Sequence, residues 1–260
     1  MAYKKLKYWF DKDLALLLAD KIQEHYSEFD ATSFMTEIAD GTIKLELKDR
    51  VELIADQLKA KLPADYIRAI HILRQILGPE NQKETGMFTE GYWIMPIAKY
   101  VEKYGTGHFS ASMNAIKEIT KRHTGEYCIR PFILKYPEKT LKVMKGWSND
   151  PNVHLRRLSS EGLRPRLPWA KKLNPFIENP KPILEVIENL KDDNSKFVQK
   201  SVANNLNDIL KDNYETGIIT IKKWSKGATP NRQWIIKHAL RNQAKIGNEE
   251  AKRILDNLKN

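Results

Sequence analysis

The chain is short of the features that most other architectures need. It has a single cysteine among 260 residues, Cys128, which excludes an intramolecular disulfide and a cysteine-based zinc cage and fits a reducing compartment. Long hydrophobic runs are missing. The longest early one, residues 14–19, is held between Asp13 and Asp20, too short for a membrane span or a signal peptide. The six histidines are scattered and form no ligand cluster with Cys or Asp, so neither a metal nor a cofactor is expected. Strand-like alternation is confined to residues 42–47, where the start of a helix is the alternative. With 41% hydrophobic and 30% charged residues, the chain can bury a core and is not disordered by composition. A soluble, intracellular, monomeric protein is expected.

What is present in excess is positive charge, and it is unevenly placed. The formal net charge is +11. Residues 1–150 carry 23 Lys+Arg against 21 Asp+Glu, whereas residues 151–260 carry 21 against 12. A surplus of +9 in the second part points to a polyanion partner, nucleic acid being the commonest; a solubilising excess is the alternative. A membrane surface fits less well, because no basic amphipathic stretch carries the apolar aromatic face that interfacial helices need.

Apolar residues recur with helical spacing nearly everywhere. Ile183, Val186, Ile187 and Leu190 form one stripe, and Val198, Val202, Leu206, Ile209 and Leu210 form another. Residues 65–73 fit a helix near Pro63. The pattern predicts an all-α chain. It also repeats. Asp150-Pro151-Asn152-Val153-His154-Leu155-Arg156-Arg157 aligns with Asp193-Asn194-Ser195-Lys196-Phe197-Val198-Gln199-Lys200 at an offset of 43 residues, within the ~40–47 residue period of HEAT and armadillo repeats. A looser third copy starts at Trp224-Ser225-Lys226, echoing Trp147-Ser148-Asn149, and runs through His238 and Arg241. No linker or low-complexity tract divides the chain. One HEAT-like α-solenoid over residues 1–260 is therefore expected, a right-handed superhelix whose second helices line a basic concave face.

The register places particular residues on that face. Arg157 and Glu161 stand at i, i+4; Lys200 and Asn204 occupy the same places 43 residues later, and Asp208 lies four further on. His238 and Arg241 are offered by the third copy. The plain alternatives are an exposed i, i+4 ion pair for Arg157 and Glu161 and an ordinary solvated residue for Asp208. After Glu161 comes a segment stiffened by Pro165 and Pro168, with Gly162 ending the helix. Presented on a stiff loop, Arg164 and Arg166 would suit phosphate and Trp169 would suit stacking; a Pro-Trp plug at a repeat junction is the other reading. The aromatic groups Tyr8-Trp9-Phe10 and Tyr92-Trp93 are assigned to core or repeat capping; the alternative for Tyr92-Trp93, with Gly91 at a helix-entry position, is a reach to the nucleic acid.

Taken together, the segment 161–169, the helix segment 201–208 with Asp208, and His238-Ala239-Leu240-Arg241 resemble the AlkC branch of the AlkC/AlkD DNA glycosylases, HEAT-like solenoids that excise alkylated bases. The likeness covers most of the chain and is strongest over about 120–245, with a DNA-binding face expected over about 105–245. The chain resembles the shorter form, without the C-terminal immunoglobulin-like domain that some members carry. The resemblance implies reaction-centre carboxylates at Glu161 and Asp208, a further one at Glu126, and an aromatic against the damaged nucleotide's sugar at Trp169. It also implies DNA contacts at Arg157 and Arg241, to which the charge and register add Arg164, Arg166, Lys200 and His238. The implied partner is alkylated DNA, in the cytoplasm and associated with the nucleoid, with no obligate protein partner.

The implied chemistry is coherent. A base methylated at N3 is cationic and already a good leaving group, so a general acid is dispensable. What remains is to stabilise an oxocarbenium-like sugar and to position water, and a carboxylate can do either. Base flipping and bending of a gripped duplex are both open routes to the damaged nucleotide. Two other functions compete with excision of 3-methyladenine and related bases. One is a non-catalytic HEAT scaffold for nucleic acid or an acidic protein. The other is an AlkD-like protein shifted to unusual DNA structures.

Overall fold

A computed structural model of the protein describes residues 4–85 and 91–258; the expected helical chain end at Asn260 lies outside them. The described residues are helical with turns and contain no strand. The candidate strand at 42–47 is a turn leading into a helix that begins at Leu47, so the helix-start alternative holds. The chain forms two compact units, residues 1–132 and 133–260.

The first unit holds α1 (Lys12–Gln23), α2 (Ala31–Gly41), α3 (Leu47–Lys61), α4 (Tyr66–Gln75), α5 (Met95–Tyr104) and α6 (Phe109–Thr120). Capping carboxylates set its helix starts: Asp11, Asp30 and Asp65 each accept a backbone N–H of the first turn. Pro63 stands two residues ahead of the Asp65 cap rather than inside the first turn. Trp9 and Phe10 meet Tyr92 edge-on, at 4.9 and 5.7 Å between ring centres. Of the aromatics assigned to core or capping, Phe10 is buried, Trp9, Tyr92 and Trp93 are half-buried, and Tyr8 is 44% exposed, which corrects its assignment; Lys21 covers Trp93 at 5.0 Å. Gly91, at φ 99°, makes the left-handed turn that starts the short helix Tyr92–Ile94.

The short α7 (Arg130–Lys135) leads into the second unit: α8 (Pro137–Trp147), α9 (Val153–Glu161), α10 (Asn174–Glu178), α11 (Lys181–Ile187), α12 (Lys196–Asp212), α13 (Tyr214–Ser225), α14 (Pro230–Lys245) and α15 (Glu249–Asn257). The 43-residue offset appears atom by atom. Asn152 and Ser195 cap α9 and α12, each accepting the N–H groups two and three residues on. Asp150 and Asp193 in turn accept the N–H of Asn152 and Ser195, both at 2.9 Å. Arg156 and Gln199 then reach back to the carbonyls of Asp150 and Asp193. Helices α9, α12 and α14 lie side by side, while α8, α11 and α13 pack behind them. The apolar stripes read from the sequence are the buried seams: Ile183, Val186, Ile187 and Leu190, then Val198, Val202, Leu206, Ile209 and Leu210. Trp147 and Trp224 are both buried near the ends of first-layer helices.

Candidate active site of the second unit

The site is built where the end of α9 meets the middle of α12. Glu161 is the last residue of α9, and the helix stops at Gly162. One turn of α12 further along than Asn204 stands Asp208, and the 162–173 loop folds back between the two helices. Arg164 lies in that loop with both carboxylates in reach. Its Nη1 donates to Glu161 Oε1 at 2.9 Å. Its Nε and Nη2 grip Asp208 side-on, at 2.9 and 3.3 Å. Glu161 has two more cationic or hydroxyl partners, Ser201 Oγ at 2.6 Å and Arg157 Nη2 at 3.7 Å. The side chains of Glu161, Arg164 and Asp208 are only 8, 10 and 13% exposed.

The two carboxyls respond in opposite directions to this setting. Burial drives the Glu161 carboxyl upward, but the charges of Arg157 and Arg164 and the Ser201 hydroxyl outweigh it and leave it below the ordinary range. Burial also drives Asp208 upward. Arg164 and the Arg166 backbone N–H offset this only in part, and the charge of Glu161 adds to the lift, so Asp208 ends above the ordinary range. One guanidinium thus keeps a firm anion and a more basic carboxylate side by side.

One expectation about the loop needs correction. Arg164 is not presented to an external phosphate; its guanidinium is turned inward, because two buried carboxylates need its donors. Arg166 is engaged along one edge, its Nε and Nη2 holding both oxygens of Asp212 at 2.6 and 2.5 Å, with the side chain half-buried. The loop does present Trp169, which is 71% exposed and has φ 64°. Among the described residues it is the one non-glycine with positive φ. Such backbone costs on the order of 1–3 kcal/mol and persists where the surroundings impose it.

The other expected residues fall in two places. Arg157 lies over the Phe197 ring at 4.7 Å, beside the cluster. On α12 and α14, Lys200 is exposed, Arg241 Nη2 donates to Asn204 Oδ1 at 2.9 Å, and His238 stacks on Trp234 at 5.0 Å and 13°. Burial, then Arg241 and Lys200, lower the His238 pKa. Glu126 belongs to the first unit, where its Oε2 accepts from Thr124 Oγ1 at 3.1 Å. Ser201, Asp212, Phe197 and Trp234 were not singled out by sequence. Ser201 and Asp212 had a signal, lying 40 residues after Glu161 and four after Asp208, at positions the repeat brings near the loop. Among the described residues, no group of three or more His, Cys, Asp or Glu is placed to hold a metal ion, and no helix is long and apolar enough to cross a membrane.

Paired helices that stack their second members around a buried carboxylate–arginine cluster define a helical-repeat protein, and comparison narrows the class. A family model described as "DNA alkylation repair enzyme" matches residues 120–242. The chain is 35% identical over 247 residues to YhaZ, an uncharacterized protein of Bacillus subtilis (strain 168), covering 95% of this chain and 66% of that protein's length. The solved structure of Pseudomonas fluorescens alkylpurine DNA glycosylase AlkC, bound to DNA containing an abasic site analog, superposes with a TM-score of 0.88 at 35% identity. It covers 98% of this chain and 69% of that one. The chain belongs to the DNA alkylation repair enzyme family, as an AlkC-type member with that protein's HEAT-like helical-repeat fold.

Proposed function

We propose that the protein is a DNA glycosylase that hydrolyses the N-glycosidic bond of cationic alkylated bases, 3-methyladenine being the type substrate, and so begins base excision repair. The observation that carries this reading is the Glu161–Arg164–Asp208 cluster, with the exposed Trp169 on the same loop as Arg164, in a chain that matches AlkC over nearly its whole length. DNA is the proposed partner, as it is in the AlkC structure, and a cytoplasmic site of action follows from that role. The DNA face is assigned to α9, α12 and α14, within the 105–245 stretch, with Arg157, Lys200, His238 and Arg241 near the backbone.

In the proposed reaction the bond from C1′ to the base nitrogen breaks with its electron pair going to the base, which departs neutral because the methylated base was cationic. C1′ becomes oxocarbenium-like, a water oxygen adds to it, and that water loses a proton. Negative charge beside C1′ lowers the barrier. Glu161, held as an anion by three partners, supplies that charge; Asp208, the more basic of the two, is suited to receive the water's proton. Glu126 is the further carboxylate by resemblance alone. Trp169 gives an indole face to the sugar.

The test is release of free methylated base from alkylated duplex under single-turnover conditions. Glu161→Gln and Asp208→Asn are expected to lose about 10²–10³ in rate while still binding duplex. Full activity in both variants refutes the roles. Binding with no release by the unaltered protein favours the scaffold alternative.

A further inference from the structure

We infer that Arg166 and Asp212 are a pair of positioning residues that set the Trp169 indole, and that Arg166 does not contact DNA phosphate. This deepens the glycosylase reading and rests on it for the role of Trp169.

The 162–173 loop is fastened to α12 at two points one helical turn apart. Asp208 and Asp212 stand at i, i+4 on α12, so they share a face. Each is gripped in the same side-on manner, through Nε and Nη2 to both carboxylate oxygens, by Arg164 and Arg166 respectively. Leu163, Pro165 and Leu167 are buried beneath the loop, and the Leu173 N–H closes it on the Pro165 carbonyl at 3.1 Å.

Trp169 then emerges three residues after Arg166, largely exposed and with a left-handed backbone. It stands in a short loop that the two forks fasten to α12 on its N-terminal side and that the Leu173 N–H closes behind it. A bidentate guanidinium–carboxylate fork restrains both distance and plane, and the Arg166 fork stands three residues before Trp169. With its Nε and Nη2 edge held by Asp212, the Arg166 guanidinium is fixed in plane toward α12 and its side-on edge is closed to a phosphate.

The experiment compares Arg166→Gln, Arg166→Lys, Asp212→Asn and the Arg166→Gln/Asp212→Asn double variant with the unaltered protein. Base release is measured under single-turnover conditions, and affinity for undamaged duplex is measured across salt concentrations. A third readout is the ¹⁹F resonance of Trp169 in 5-fluorotryptophan-labelled protein, assigned through Trp169→Phe. A displaced group near the reacting sugar costs on the order of tenfold to a hundredfold. Each single variant is therefore expected to slow release at least tenfold, with the double no slower than the worse single. Arg166→Lys, which keeps the charge and loses the fork, should behave like Arg166→Gln. Duplex affinity and its salt dependence should stay the same in all four, and the Trp169 resonance should shift or broaden in each.

The inference is overturned if Asp212→Asn and Arg166→Lys match the unaltered protein while Arg166→Gln lowers affinity and reduces the salt slope by about one, the mark of a phosphate contact. An unmoved Trp169 resonance in Asp212→Asn overturns it as well. Should the unaltered protein release no base, the glycosylase reading fails, and the ¹⁹F resonance still decides whether the pair sets the indole.

Discussion

Replacing Arg164 with Gln removes one buried guanidinium and leaves two buried carboxylates facing each other. Glu161 keeps Ser201 and the more distant Arg157, whereas Asp208 loses the fork that is its main compensation. Removing one partner of a buried pair costs about 3–5 kcal/mol. Asp208 can escape part of that cost by binding a proton, so the lower end, about 3 kcal/mol, is expected at neutral pH, or a fall in Tm of roughly 6–12 °C. The sign of the pH dependence follows from the two carboxyls. Glu161 has a folded pKa below its unfolded one, so it stabilises the fold above the ordinary carboxylate range, and it owes part of that to Arg164. Asp208 has a raised folded pKa, so its ionisation costs stability as pH rises through that value, and without Arg164 the cost grows. Both effects widen the difference in Tm from about pH 4, where the carboxyls begin to protonate, up to pH 7. Thermal melting of both proteins over that range is the assay. A Tm difference that is constant with pH refutes the reasoning, as does unchanged melting with weakened DNA binding.

Three further outcomes are expected. Trp169→Gly puts the residue that tolerates φ 64° where the chain requires it, so the free energy of unfolding should stay within about 1 kcal/mol of the original while single-turnover release falls at least about tenfold; a large loss of stability would mean the indole is a structural plug. His238 has a lowered pKa in the free protein, and a phosphate beside it raises that value, so binding takes up a proton. Duplex affinity at constant ionic strength should strengthen as pH falls from 7 to about 5.5, and His238→Gln should abolish that dependence; an identical pH profile in the variant removes His238 from the interface. Asn152→Ala and Ser195→Ala each remove one cap at equivalent repeat positions and should each cost about 1 kcal/mol in chemical denaturation, whereas a loss at one alone would break their equivalence.

Much of the fold was legible because repeats write the same local chemistry twice. The Asp150/Asp193, Asn152/Ser195 offset names capping residues that need only their own helix to act, and the apolar stripes at helical spacing became seams. The strand-like stretch at 42–47 misleads because alternation over six residues does not separate a strand from a turn running into a helix. The site was legible in part. Glu161 and Asp208 stand out as acids in a basic half, and Trp169 is exposed as its loop suggested. What the sequence could not convey is the direction of Arg164 and Arg166. Whether an arginine on a loop faces solvent or a carboxylate depends on where the loop folds back, and that is set by Leu163 and Leu167 burying beneath it. Trp234 and Phe197 escaped notice because their importance comes from cations laid across them, Lys196 at 4.7 Å and Arg157 at 4.7 Å.

These inward arginines change what the positive excess means. In the second unit Arg156 pairs with Asp193, Arg164 with Glu161 and Asp208, Arg166 with Asp212, and Arg232 with Asp192. Four of the arginines there are thus committed to tying one part of the unit to another. Exposed positive charge is left mainly to lysines such as Lys172, Lys200, Lys211 and Lys237, joined by Arg241 and Arg253. The division has a physical cause. A guanidinium can satisfy its planar fork on a buried carboxylate, whereas an ammonium on a flexible stem is strongly hydrated and stays in water. Salt-sensitive affinity for a polyanion should therefore reside in the lysines and Arg241, and the geometry of the reaction centre in the arginines. The two can be altered separately: neutralising Lys200 or Lys237 should lower affinity and its salt slope without changing the single-turnover rate of bound substrate, while the arginine–carboxylate variants should do the reverse.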